Sequence, residues 1–144
     1  MISKVSMSLI CHATEDPRKV EQALLNLLPE GMRGSAQIKY TIARGHHGNE
    51  IRVASLEEEG TRAKDAVDYM TKLLPPGDLL RLRDEIDRFF DSRSALFIRF
   101  EKQKAYAGSL RLSESDDIIR VKISLQLRKG EDTKSRLLEI LSLA

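Results

Sequence analysis

Two adjacent histidines in a glycine-bracketed segment, Gly45-His46-His47-Gly48-Asn49, are the residues whose types and spacing most readily suggest chemistry in this chain. Imidazole titrates near neutral pH, and glycine tolerates φ > 0. The segment therefore reads as a metal clip, an acid/base site, a ligand-contacting loop or a polar hairpin turn. His12, His46 and His47 give at most three nitrogen ligands, and neighbours i and i+1 on extended chain point opposite ways. A histidine base for RNA cleavage also needs a partner acid and a phosphate clamp, and Glu50 and Arg44 are neighbours only in sequence. P-loop, paired-cysteine, GxGxxG and nucleophile-elbow patterns are absent. The stretch Glu114-Ser115-Asp116-Asp117 reads as a solvated turn ahead of a strand rather than a magnesium site. We expect no catalytic residue, metal or cofactor. A positioning role fits the turn better: Gly45 and Gly48 let backbone approach phosphate, while His46, His47 and Asn49 offer donors or a stacking ring.

The elements around that turn follow from hydrophobic period. Val5, Met7, Leu9 and Cys11 alternate with polar neighbours, which predicts a half-buried strand and places the only cysteine in the core. Asp16 and Pro17 start a helix whose stripe runs Val20, Ala23, Leu24, Leu27 and Leu28, until Pro29, Gly31 and Gly34 end it. Two antiparallel strands flank the histidine turn, with Ile38, Tyr40 and Ile42 before it and Ile51 and Val53 after. A helix from about Thr61 ends at Pro75-Pro76-Gly77, and a third, capped by Asp78, carries Leu79, Leu82, Ile86, Phe89 and Phe90. A strand from Ala95 runs on through Lys102-Gln103-Lys104-Ala105-Tyr106 to Gly108. The longest alternation, Ile119 to Leu127, is a further strand, and Asp132 caps a terminal helix.

Strands separated by helices in this way predict an α+β fold: a mostly antiparallel sheet with helices packed on one face. A length of 144 residues suits one domain, which can bury about 70% of its unfolded surface. No apolar run approaches the ~18 residues of a membrane span, and the N-terminus lacks the apolar core of a secretory signal, so a cytoplasmic product is expected. The sheet's other face is then open. The polar registers place on it Lys4, Lys39, Arg52, Arg99, Arg120 and Lys122 against Glu50 and Glu101. A net charge of +2 is too small to imply a nucleic-acid partner, but charge gathered on one side is not. Arg44, Lys102, Lys104 and Arg111 lie in adjoining segments, and Phe97 and Tyr106 set aromatic rings among the cations, as unpaired bases require. The competing interpretation is an ordinary solvated sheet face, where lysine and arginine are common.

Four words occur in order along the chain: His12-Ala13-Thr14-Glu15-Asp16, the Gly45 to Asn49 turn, Phe100-Glu101-Lys102-Gln103-Lys104-Ala105-Tyr106, and Asp116-Asp117-Ile118-Ile119. With them the chain resembles the small archaeal RNA-binding proteins described as predicted exosome subunits. The turn departs from that pattern by carrying His46 where an aromatic is expected. The resemblance implies a fold similar to the ribosomal protein that cradles 5S ribosomal RNA, and RNA binding linked to the RNA-degrading exosome. The candidate RNA contacts are Lys39, Arg44, His46, His47, Asn49, Arg52, Arg99, Lys102, Lys104, Tyr106, Arg111, Arg120 and Lys122. The alternatives are a protein-interaction or homodimerisation module without RNA contact and, third, a histidine-dependent ribonuclease.

Overall fold

Period-two alternation becomes five strands, and the apolar stripes become helices, in a computed structural model that describes residues 1–45, 47–90 and 94–142. In chain order the elements are β1 (Ile2–Cys11), α1 (Pro17–Leu25), α2 (Glu30–Arg33), β2 (Ile38–Arg44), β3 (Glu50–Glu59), α3 (Gly60–Leu73) and α4 (Pro76–Asp84). After a 3-10 turn over Ile86–Arg88 come β4 (Ala95–Glu101), α5 (Lys102–Tyr106), β5 (Ile118–Leu125) and α6 (Thr133–Ser142). The strands form one sheet in the order β2-β3-β1-β5-β4, every neighbouring pair antiparallel. The fold is therefore the expected α+β arrangement. No described helix is long and apolar enough to cross a membrane.

Register shows why one face is covered. Met7 on the central strand lies opposite Leu56 and Val121, and Val121 opposite Ile98, all four buried. The helices bury Val20, Ala23 and Leu24, then Ala63, Ala66, Val67 and Met70, then Leu137, Ile140 and Leu141 in the same core. Each strand thus gives alternate residues to the core and the rest to the opposite face.

Besides the third helix, which ends at Asp84 with Ile86–Arg88 in a 3-10 turn and Phe89 and Phe90 beyond it, and β5, which ends at Leu125 rather than Leu127, four details differ from the sequence expectation. The first helix ends at Leu25, because Asn26 turns the chain: its side chain donates to Ala105 O at 2.9 Å and to Tyr106 O at 3.1 Å. Leu27 and Leu28 are still fully buried, and Glu30–Arg33 forms an extra turn that buries Met32. Pro76, whose missing N–H costs nothing in a first turn, starts α4 two residues before Asp78. The Asp78 carboxylate accepts instead from Leu112 N at 3.0 Å and Arg111 Nε at 3.1 Å. The strand beginning at Ala95 stops at Glu101, and Lys102–Tyr106, composed mostly of good helix formers, becomes α5 with Ala105 buried. The caps at Asp16 and Asp132 are as expected: their carboxylates accept from Arg18 N at 3.0 Å and Ser135 N at 3.1 Å.

The fourth difference is a register. Ile51 and Val53 suggested that Arg52 faces away from the helices, but Arg52 lies opposite the buried Cys11, whereas Val53 pairs with Ile10 on the open face. Ala54 and Leu56, fully or almost fully buried, set this parity. Glu50 moves with Arg52 to the helix-side register, opposite Arg44.

Candidate nucleic-acid interface

The open face is built as rows that cross the strands. One row reads Lys39, Ser55, Ser8, Arg120, Arg99, from β2 to β4. On one side lies Glu57, Ser6, Lys122, Phe97, followed by Glu59 and Lys4; on the other lies Thr41, Val53, Ile10. Lys4 is neutralised by Glu57 at 3.1 Å. Among the described residues Lys39, Arg99, Arg120 and Lys122 enter no salt bridge. Lys122 instead lies over the Phe97 ring, 5.6 Å from its centroid, and that ring is 45% exposed. The basic character is thus concentrated on β5 and β4, with Lys39 at the far edge, while the acids of this face are Glu57 and Glu59 on β3 and Glu101 at the end of β4.

The remaining candidates from the sequence are scattered. His46 lies outside the described residues. His47 and Asn49 are exposed at the tip of the β2–β3 hairpin, which is closed by Gly45 N donating to Asn49 O at 2.8 Å. A Cβ on Gly45 would fall 2.7 Å from Asn49 Oδ1 and make that exposed side chain shift, and Gly48 takes φ 77°, which favours glycine. Arg44 is exposed beside that turn, and Arg52 faces the helix side. Lys104 and Tyr106 project from α5, which packs on α1, and Lys19 sits 5.7 Å from the Tyr106 centroid. Arg111 is paired with Asp78 at 3.1 Å.

Lys102 is the clear correction, being only 3% exposed and so closed to a surface ligand. Its ammonium lies 2.9 Å from Glu15 Oε1 and 2.6 Å from Asp117 Oδ1, and donates to Ile10 O at 3.2 Å. Glu15 also accepts from His12 N at 3.0 Å, and Asp117 from Gln103 Nε2 at 3.1 Å. Three of the four sequence words therefore meet at one ion-pair cluster, which joins the end of β1, the start of α5 and the approach to β5. Burial disfavours the charged form of Lys102, but Asp117 and Glu15 outweigh it and hold the ammonium above its usual range. Burial likewise works against the two carboxylates, and hydrogen bonds, foremost from Lys102, hold both below theirs. His12, Glu15 and Asp117 offer donor atoms within 4.8 Å of one another, as a metal would require. The Lys102 ammonium already sits between the two carboxylates and offsets one of their two charges, so the donors act as partners of a tethered cation. Cys11 beside them is buried, and burial pushes its thiol pKa up, which makes it a core residue.

A surface of unpaired cations with an exposed ring agrees with what the chain is related to. A family model described as RNA binding matches residues 4–125. The chain belongs to this RNA-binding family. Among its relatives is an RNA-binding protein of Pyrococcus abyssi, 34% identical over 117 residues that span 80% of this chain and 76% of that protein. Two solved members share the fold. A crystal structure of an Archaeglobus fulgidus protein superposes with a TM-score of 0.85 at 27% identity, covering 97% of this chain and 99% of that one. A DUF54 protein of Methanothermobacter thermautotrophicus gives 0.77 at 30% identity and 98% coverage of both. The family's matched span includes β2 to β5 and β1 from Lys4 onward, and with them the open-face residues from Lys4 to Lys122.

Proposed function

We propose that this member of the RNA-binding family is a non-catalytic RNA-binding protein that grips the phosphate backbone with the basic half of its open sheet face. The observation that carries the reading is the pairing of Arg99 directly opposite Arg120, with Lys122 in the next row and, among the described residues, no carboxylate in a salt bridge with any of them. Like charges opposite one another weaken a sheet, and a polyanion relieves exactly that repulsion while releasing its own counterions. The name of the Pyrococcus abyssi relative supports the same reading. Arg120→Ala and Lys122→Ala should each lower affinity several-fold for many RNAs alike, because phosphate contacts position without specifying sequence. Unchanged affinity in both variants would remove this face from the footprint.

His46, His47, Asn49 and Arg44 are assigned to the rim as shape contacts, with no chemical step. Labelled RNA left uncut by the purified protein is the expected result. The resemblance adds an exosome association and kinship with the 5S-RNA-cradling ribosomal protein; co-purification with exosome subunits tests the first, structural superposition the second. One observation favours a second reading, a protein-interaction or dimerisation module: β2 pairs with β3 alone, leaving a free edge beside Tyr40 and Ile42, which are 42% and 59% exposed. A dimer that ignores RNA in solution-mass measurements would favour it.

A further inference from the structure

The geometry points to RNA held as a single strand, laid across the β-strands along Lys39, Ser55, Ser8, Arg120 and Arg99, with an unpaired base stacked on Phe97. This rests on the reading of the open face as the RNA-binding surface and adds which form of RNA it takes. A duplex presents mainly phosphates and 2′-hydroxyls to a flat surface, and would leave the apolar groups here without a partner. Those groups are substantial: Phe97 is 45% exposed and Ile10 40%, with Ile10 paired to Val53 in the row beside the cations. An unpaired base has an apolar π-face to offer such groups.

The row itself is shaped for a strand. Ser8 and Ser55, with Ser6 alongside, are short side chains at the middle of the sheet, so the floor between Lys39 and the arginine pair is low. Four strand spacings of about 4.8 Å make the row about 19 Å long, enough for a few nucleotides. Glu59 on β3 bounds one side and repels phosphate, with Glu57 beside it paired to Lys4, whereas the other side runs through the uncharged Val53 and Ile10 and meets Glu101 only at the end of β4. A strand in the row therefore sets its backbone on the cations, with bases free to turn toward apolar neighbours. At the β4 end the Lys122 ammonium, 5.6 Å from the Phe97 centroid, meets the phosphate adjoining the stacked base.

Fluorescence anisotropy with three probes of equal chain length tests this: single-stranded oligoadenylate, an abasic ribose-phosphate strand and a blunt RNA duplex. Wild type should bind oligoadenylate roughly tenfold tighter than duplex, and Phe97→Ala should forfeit roughly that factor on oligoadenylate alone. The abasic strand, which keeps the phosphates, should not distinguish Phe97→Ala from wild type, and Phe97→Tyr should restore oligoadenylate binding. Equal binding of strand and duplex, with Phe97→Ala matching wild type on both while Arg120→Ala still weakens them, would overturn the single-strand mode and leave the RNA-binding face intact. Loss of that Arg120 effect, or no binding of any probe, would overturn the face itself. Because Phe97 is a surface ring, matched thermal unfolding of wild type and variants checks that only binding has changed.

Discussion

A lysine at the first position of a short helix can turn its ammonium inward, and Lys102 reaches Glu15, Asp117 and the Ile10 carbonyl from there. Removing only the cation leaves two carboxylates together at a buried point, which costs more than the pair itself contributed. Lys102→Met should destabilise the protein by about 3 kcal/mol at neutral pH, at the low end for buried pairs because Asp117 is partly exposed. The pH dependence has a definite sign. Glu15 and Asp117 titrate below their unfolded values, so their contribution is full above about pH 5 and is lost as pH falls through the depressed folded values. Lys102 titrates above its unfolded value, so its contribution is full below about pH 10 and is lost as pH rises through the raised folded value. In Lys102→Met the carboxylates repel and readily accept a proton, so the deficit against wild type should shrink between pH 7 and pH 4.5 in urea titrations. A deficit that stays constant with pH would assign Lys102 to packing alone.

Period-two alternation announced β1, β4 and β5 because each keeps one face buried over most of its length, and β2 through its apolar alternation alone, since Ile38 is half-buried and Tyr40 and Ile42 are exposed. It failed on β3, whose two halves have different surroundings: Ala54, Leu56 and Glu58 are buried, whereas Glu50, Ile51, Arg52 and Val53 in the hairpin arm are half-buried or exposed. Apolar residues in that arm carry no inward signal, so the sequence reading placed Arg52 on the wrong face. The cations Lys39, Arg99, Arg120 and Lys122 were legible from strand parity alone. The burial of Lys102 was not, since its partners lie 87 residues before it and 15 after, and nothing local in Lys102-Gln103-Lys104 distinguishes an inward lysine from an outward one. The register has a direct functional consequence. Charge reversal at Arg120 should weaken RNA binding by roughly tenfold or more, because a contact becomes a repulsion, while the same change at Arg52 acts only through screened distance. Arg52→Glu within about twofold of wild type is the expected result. Equal losses at the two positions would mean that the helix side also contacts RNA.

A chain with a net charge of only +2 attracts a polyanion by where its charges sit. The acids are drawn into pairs elsewhere: Glu58 is buried under Arg62, Glu15 and Asp117 hold Lys102, Asp78 holds Arg111, and Glu85 and Glu114 hold Arg81. Among the described residues, the cations left without a salt bridge on the open face are Lys39, Arg99, Arg120 and Lys122, beside the neutralised Lys4. Binding through these four should depend on salt as counterion release dictates, with a log-log slope of about −3 for a single strand that contacts all of them. A fourfold rise in salt would then weaken binding by about 50-fold, and the slope should become shallower by about 0.7 for each of the four replaced by alanine. Lys4→Ala, whose cation is already paired, should leave the slope unchanged. Salt-titrated anisotropy on the single variants reads these increments directly. A slope near zero would show that phosphate contributes little, and a slope well beyond −3 would extend the footprint past the open face to the exposed Arg44 and Lys104.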